Sequence, residues 1–264
     1  MTILDQIIAH KRREIGLRKQ LISMELIQKY PFFEKTIPSF SEYIVSEEKT
    51  GIIAEFKRES PSRGVINNQS TVLEVTKGYE REGASAVSVL TDTRFFGGTL
   101  FDLKWAKSEI TIPILRKDFV VDEFQIFEAK GIGASAILLI AAVLTKEEIK
   151  RFTKLAHQLG LEVLLELYAE EELVKISGDE DCIGINNRDL HHFEVNIEKS
   201  EQMVPFLPED KVLIAESGIY SVGVIERLRK AGFSGFLMGD CFMREQDPAA
   251  AFKQFVINLK QVRA

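Results

Sequence analysis

The junction Gly83-Ala84-Ser85-Ala86, leading into the apolar run Val87 to Leu90, is nearly repeated as Gly133-Ala134-Ser135-Ala136 before Ile137 to Ile140. A looser copy, Ala231-Gly232-Phe233-Ser234-Gly235, precedes Phe236 to Met238. Each follows a stretch of helical periodicity, so each reads as a helix end closed by glycine and followed by a strand. A recurring helix–glycine–strand junction constrains the chain to repeated βα units. Eight short apolar runs fit that scheme: Ile52–Lys57, Ala86–Leu90, Pro113–Lys117, Ala136–Ile140, Glu162–Glu166, Cys182–Asn186, Val212–Glu216 and Gly235–Met238. Most are continuously hydrophobic, as strands buried on both faces are.

Amphipathic helices are expected between them. The clearest are Val72–Glu82, Glu123–Lys130, Lys146–Leu159, Ser221–Lys230 and Pro248–Val262. Asp122, Thr145 and Asp247 stand as N-caps, with Pro248 at the first helical position. Eight βα units in a 264-residue chain fit the α/β class and a (β/α)8 TIM barrel. A doubly wound sheet is the alternative, but its glycine fingerprint is out of context. Gly131-Ile132-Gly133-Ala134-Ser135-Ala136 follows a helix and precedes a strand, the reverse of a dinucleotide site. Residues 1–48 read as a helical N-terminal extension packed on the barrel, broken at Tyr30-Pro31 and Ile37-Pro38. The whole of 1–264 is expected to be one barrel domain.

The chain carries a net charge of −6 and no basic run, so a nucleic-acid partner is not expected. Cys182 and Cys241 lack metal-like spacing and read as reduced thiols of a cytoplasmic protein. Neither a membrane span nor a signal peptide is expected, because the first charges follow the opening apolar stretch instead of preceding it.

The chemistry is concentrated where strands end. Apolar runs finish in Glu55 and Lys57, Lys117, Glu166, Asn186 and Glu216. An unpaired buried charge is costly, so these groups must pair or face a wet cavity. In a (β/α)8 barrel the C-terminal strand ends build the active site, and alternate strands supply the same interior layers. Glu55, Lys57, Lys117, Glu166 and Glu216 belong to odd strands and are expected to converge. The competing reading is a ring of structural salt bridges. Strand seven runs into Ser217-Gly218 and strand eight into Gly239-Asp240, a place where barrels bind phosphate through backbone N–H groups. The Asp240 side chain is expected to turn away and cap a helix.

Other features read as structural. His191-His192 is a solvated loop pair, and His10 and His157 face solvent from helices. Trp105 is a packing residue. Glu47-Glu48 and Glu170-Glu171-Glu172 are solvated helix surface. Phe95-Phe96 and Phe119 lie on the site side, either as loop packing or as a wall for a flat apolar substrate.

Ile53-Ala-Glu-Phe-Lys-Arg-Glu-Ser-Pro-Ser62 resembles the signature of the indole-3-glycerol phosphate synthase family. The likeness continues through Leu115-Arg-Lys-Asp-Phe119, Leu164-Leu-Glu166, Gly184-Ile-Asn-Asn-Arg-Asp-Leu190 and Ala215-Glu-Ser-Gly-Ile219, and includes Ile3-Leu4-Asp5 with His10-Lys11-Arg12. It covers nearly the whole chain in order. Glu59 departs from it, where the family usually has a small residue or lysine. Asp240 stands where the family residue varies and is often small and polar.

The resemblance implies ring closure of 1-(2-carboxyphenylamino)-1-deoxyribulose 5-phosphate, with loss of CO2 and water. It implies a small phosphorylated substrate and no metal or organic cofactor. Lys117 would protonate the carbonyl, and Glu166 would be the base. Lys57 would pair with a substrate anion and serve as acid in the dehydration. Glu55 and Glu216 would hold the lysines, and Asn186 would bond a sugar hydroxyl. Phe96, Phe119, Leu138 and Leu190 would enclose the ring. Ser60, Arg188, Ser217, Gly218, Gly239 and the Asp240 backbone would take the polar end. A monomer without membrane partners is expected. Two readings stay open beside this one: a phosphoribosylanthranilate isomerase, whose chemistry typically pairs a Cys with an Asp, and a non-catalytic phosphosugar binder on the same fold.

Overall fold

The computed structural model describes residues 2–188 and 194–263. Eight parallel strands form a closed barrel: β1 (Ile52–Phe56), β2 (Ala86–Leu90), β3 (Ile114–Lys117), β4 (Ala136–Ile140), β5 (Glu162–Leu167), β6 (Cys182–Asn186), β7 (Val212–Glu216) and β8 (Gly235–Met238). Each pairs with its sequence neighbours, and β1 closes the ring against β8. The bounds agree with the eight apolar runs to within a residue at each end.

Both faces of the strands are buried. On β1, Ile52, Ala54 and Phe56 face outward into the shell shared with the helices. Ile53 faces inward, packing with Ala86, Leu115, Leu138, Leu164, Ile214 and Leu237. This double burial is why the runs are continuously apolar. Truncating a side chain such as Phe56 to alanine would cost about 3–5 kcal/mol.

The helices are α1 (Ile3–Leu21), α2 (Met24–Gln28), α3 (Phe40–Val45), α4 (Val72–Arg81), α5 (Thr93–Phe96), α6 (Leu100–Glu109), α7 (Glu123–Ile132), α8 (Lys146–Gln158), α9 (Ile197–Met203), α10 (Val222–Ala231), α11 (Asp240–Met243) and α12 (Pro248–Arg263). Their starts are chemically specified. Asp122 accepts from the Phe124 amide, Thr145 forms a reciprocal box with Glu148, and Asp247 accepts from the Ala250 amide at 3.0 Å.

Residues before β1 close the barrel at both ends. Phe40 and Ile44 of α3 plug the N-terminal end of the interior. The Glu162 carboxylate holds that helix start, accepting from the Phe40 and Ser41 amides at 3.0 and 2.7 Å. At the other end Ile3, Leu4 and Ile7 of α1 line the mouth.

Four local expectations are corrected. Trp105 is 54% exposed against Phe101 and is no packing residue, because α6 turns that face to solvent. Glu47-Glu48 lie in a turn. Glu170–Lys175 is a 3-10 helix on which Glu170 and Glu171 are exposed as expected, but Glu172 accepts from the Tyr168 and Ala169 amides and caps it. His157 faces solvent from α8 as expected, with Nε2 2.9 Å from Asp181, whereas His10 is half-buried and edges onto Phe95. His191-His192 lie outside the described residues.

Candidate active site

Strand alternation carries Glu55 and the following Lys57 to one side of β1, Lys117 to the interior of β3, and Glu166, Asn186 and Glu216 to the interiors of β5, β6 and β7. All six line one pocket at the C-terminal end of the barrel. They form two ion clusters. In the first, Lys117 Nζ lies 2.9 Å from Glu166 and 3.4 Å from Glu216. Asn186 donates to the second Glu166 oxygen at 3.1 Å. In the second, Lys57 Nζ lies 2.9 Å from Glu55 and 3.1 Å from Asp240. Ser88 of β2 donates to Glu55 at 3.4 Å.

Burial pushes the Lys117 ammonium down, but Glu166 and Glu216 outweigh it and raise its pKa above the ordinary lysine value. The same contest, with Glu55 and Asp240 as partners, raises Lys57. The two glutamates diverge. Burial pushes both up. The contact with Lys117 overcomes it at Glu166, which is held below the usual carboxylate value. At Glu216 burial prevails over the attraction of Lys117, and the nearby Glu166 charge adds to the rise. The pocket therefore sets a more acidic carboxyl, Glu166, and a more basic one, Glu216, on either side of a charged ammonium. That is an arrangement for proton transfer.

Glycines make room for this set. Gly184 faces inward on β6, where a Cβ would strike Glu216 Oε1. At Gly239 a Cβ would sit 2.7 Å from Glu55 Oε1 and 3.0 Å from Glu55 Cβ. The glycine there is needed to leave room for the Glu55 carboxylate as well as for a phosphate. Ser217 and Gly218 are both left-handed, with φ of 66° and 74°. This reverses the chain directly after Glu216. For Ser217 the conformation is strained, and the hydrogen bond from Asn187 Nδ2 to its carbonyl, 2.8 Å, holds it.

The remaining candidates gather here as well. Ser60, Phe96, Phe119, Leu138, Arg188, Ser217, Gly218, Gly239 and Asp240 line the same pocket. The Phe96 and Phe119 rings pack at 6.0 Å on its wall, whereas Phe95 turns away onto His10. Leu190 lies outside the described residues.

The expectation for the Asp240 side chain is overturned. Gly239, not Asp240, is the N-cap of α11. The Asp240 carboxylate turns into the pocket among Lys57, Arg63 and Arg188, because three cations compensate a buried anion better than one helix start does. Arg63, Ser88 and the α1 residues at the mouth were not anticipated. Their side chains arrive from a hairpin, a neighbouring strand and a distant helix, and although Ile3 and Leu4 belong to the family likeness, nothing local places them at the mouth.

The fold and site define a (β/α)8-barrel protein with an acid–base pocket at its C-terminal rim. Solved structures share that fold at low identity. They include a tryptophan synthase alpha-subunit mutant from Pyrococcus furiosus, with a TM-score of 0.61 and 13% identity over 81% of this chain and 99% of that one. Another is 3-hexulose-6-phosphate synthase from Salmonella typhimurium, with a TM-score of 0.62 and 13% identity over 80% and 98%. The family profile described as indole-3-glycerol phosphate synthase matches residues 4–255. A relative of that name from Bacteroides thetaiotaomicron is 46% identical over 254 residues, covering 96% of this chain and 97% of its own. One from Sulfurimonas denitrificans is 42% identical over 256 residues, covering 96% and 97%. The chain belongs to the indole-3-glycerol phosphate synthase family.

Proposed function

We propose that this chain is an indole-3-glycerol phosphate synthase, a carboxy-lyase of tryptophan biosynthesis. It converts 1-(2-carboxyphenylamino)-1-deoxyribulose 5-phosphate into the indole product, CO2 and water. The observation that carries this reading is Lys117, an ammonium at the base of the pocket between Glu166 and Glu216, beside the Phe96–Phe119 wall.

The ring carbon bearing the carboxylate must attack the C2 carbonyl carbon, and the developing alkoxide needs a proton. Lys117 supplies it. Loss of CO2 then returns the bonding pair to the ring and restores aromaticity. Dehydration expels the new hydroxyl as water, with a proton from Lys57, while Glu166 removes the proton whose loss completes the indole. Glu55 and Glu216 orient the two lysines, and Asn186 fixes both Glu166 and a substrate hydroxyl. The phenyl ring lies against Phe96, Phe119 and Leu138. The phosphate lies toward Gly218, Gly239, Ser60 and Arg188.

An isomerase of the cysteine–aspartate type fits less well, since neither Cys182, which begins β6, nor Cys241, which follows β8, stands at the end of β1. We further propose a cytoplasmic monomer forming one barrel domain with residues 1–48 as its extension. Among the described residues no helix is long and apolar enough to cross a membrane. The test is incubation with the substrate while following indole fluorescence and CO2 release. Indole formation by the wild type that is lost in Lys117→Met supports the reading, and no indole from the wild type overturns it.

A further inference from the structure

Asp240 has three basic partners drawn from separate parts of the chain. One oxygen lies 3.1 Å from Lys57 Nζ, at the end of β1. The other lies 2.9 Å from Arg63 Nε, in the turn of a hairpin pairing Glu59–Ser60 with Gly64–Val65, and 3.4 Å from Arg188 Nη2, after β6. The carboxylate side chain is 14% exposed and Lys57 and Arg188 are largely buried, so solvent screens those two contacts weakly, while Arg63 is about half exposed. Burial pushes its pKa up, but the three cations outweigh burial and hold it below the ordinary value, so it is charged.

Lys57 and Arg188 line the polar end of the pocket with Ser217, Gly218 and Gly239, and Arg63, next in the chain to the lining residue Ser62, reaches it through Asp240. A phosphate reaching them meets an anion already attached to the chain. We propose that Asp240 is an internal counter-anion that competes with phosphate for Lys57, Arg63 and Arg188, weakening capture of the substrate and promoting release of the product. The proposal rests on the functional reading above. Substrate and product both carry the phosphate, so cations left unopposed would hold the two alike. Such uniform binding does nothing for the chemical step and retains the product. A tethered carboxylate offsets that affinity and reclaims the cations as the product leaves.

The same contact reaches the loop over the pocket mouth. Arg63 also donates toward Tyr220 Oη at 3.4 Å, and Ser60, Pro61 and Ser62 of the hairpin line the pocket. Asp240 therefore ties the hairpin to the end of β8. When phosphate takes Arg63, that tie passes from the chain to the ligand.

Asp240→Asn keeps the shape and removes the charge, and Asp240→Ser removes both, so two variants of different size guard against a folding artefact. Inorganic phosphate is titrated into wild type and both variants by calorimetry. KM, kcat and the product inhibition constant are measured alongside. The variants are expected to bind phosphate tighter by on the order of tenfold, the scale of one charge-assisted hydrogen bond. KM and the product inhibition constant should fall together. The proposal is overturned if wild type binds phosphate and the variants bind it no tighter. It is equally overturned if kcat drops with KM and phosphate affinity unchanged, the mark of a carboxylate that merely orients Lys57. If wild type neither binds phosphate nor turns over substrate, the functional reading itself falls and takes this proposal with it.

Discussion

Lys11 Nζ lies 3.0 Å from the Asp118 carboxylate, and its side chain is fully buried. It also lies 2.8 Å from Asp92 and 3.1 Å from Glu14. A lysine of α1 is thus inserted beneath the loops that follow β2 and β3. Asp118 directly follows Lys117, and Asp92 caps the short helix that carries Phe96. Arg116 completes the network at 3.0 Å from Asp118. The N-terminal helix is wired to the backbone that aims both the candidate acid and the aromatic wall.

Lys11→Met removes the cation and leaves two carboxylates buried together. The expected loss is about 3–5 kcal/mol of stability, the cost of breaking a buried ion pair from one side. Chemical denaturation measures it. A loss under about 1 kcal/mol, the worth of an exposed pair, would show that the network carries little.

Lys117→Met and Glu166→Gln each remove one half of the proposed proton-transfer pair. Each is expected to lower kcat by on the order of 10²–10⁴ while changing KM less, because the walls of the pocket remain. Steady-state kinetics beside a thermal melt checks this. Near-normal kcat in both variants would reduce the cluster to a structural salt bridge.

Asp118 sets an acid limit. Burial raises its pKa, but Lys11 and Arg116 outweigh burial and hold it at about 2, below the ordinary 3.8. A depressed carboxylate contributes stability that is complete above 3.8 and lost as pH falls through about 2. The melting temperature should therefore fall across that window. Asp118→Asn, already uncharged, should start lower and show a shallower slope there.

Glu216 sets an alkaline limit of opposite sign. Burial raises its pKa to about 8 from 4.5. A raised carboxyl contributes stability that is present at low pH and lost as pH rises through the folded value. Thermal melts from pH 4.5 to about 8 should show this loss in wild type and a flatter profile in Glu216→Gln. Identical slopes would mean that Glu216 is ionised throughout.

Gly239→Val would drive a side chain into Glu55, since even a Cβ comes within 2.7 Å of its carboxylate. Lys57 would lose its partner, so kcat should fall as well as KM rise. A rise in KM alone would locate the clash on the phosphate only.

Much of this site was legible in the chain because its physics is local. A polar residue ending an apolar run is conspicuous, and two-residue periodicity says which side of a strand it takes. That suffices for Glu55, Lys57, Lys117, Glu166, Asn186 and Glu216. Periodicity alone misjudged Trp105, since α6 has an exposed face that an apolar residue can occupy. It also left Phe95 and Phe96 equivalent, although Phe96 lines the pocket and Phe95 packs on His10.

The repeated junctions, the buried strands and their caps determine a (β/α)8 barrel, because each βα unit hides its apolar face only by stacking on the next. Which charges meet was decided by closure of the ring. Lys57 and Asp240 are distant in sequence and become neighbours because β8 pairs with β1. Lys11 reaches Asp118 because α1 folds over the rim. Burial then made these pairings obligatory: away from water an ion takes whatever countercharge the fold supplies, so Asp240 turned from its helix toward three cations.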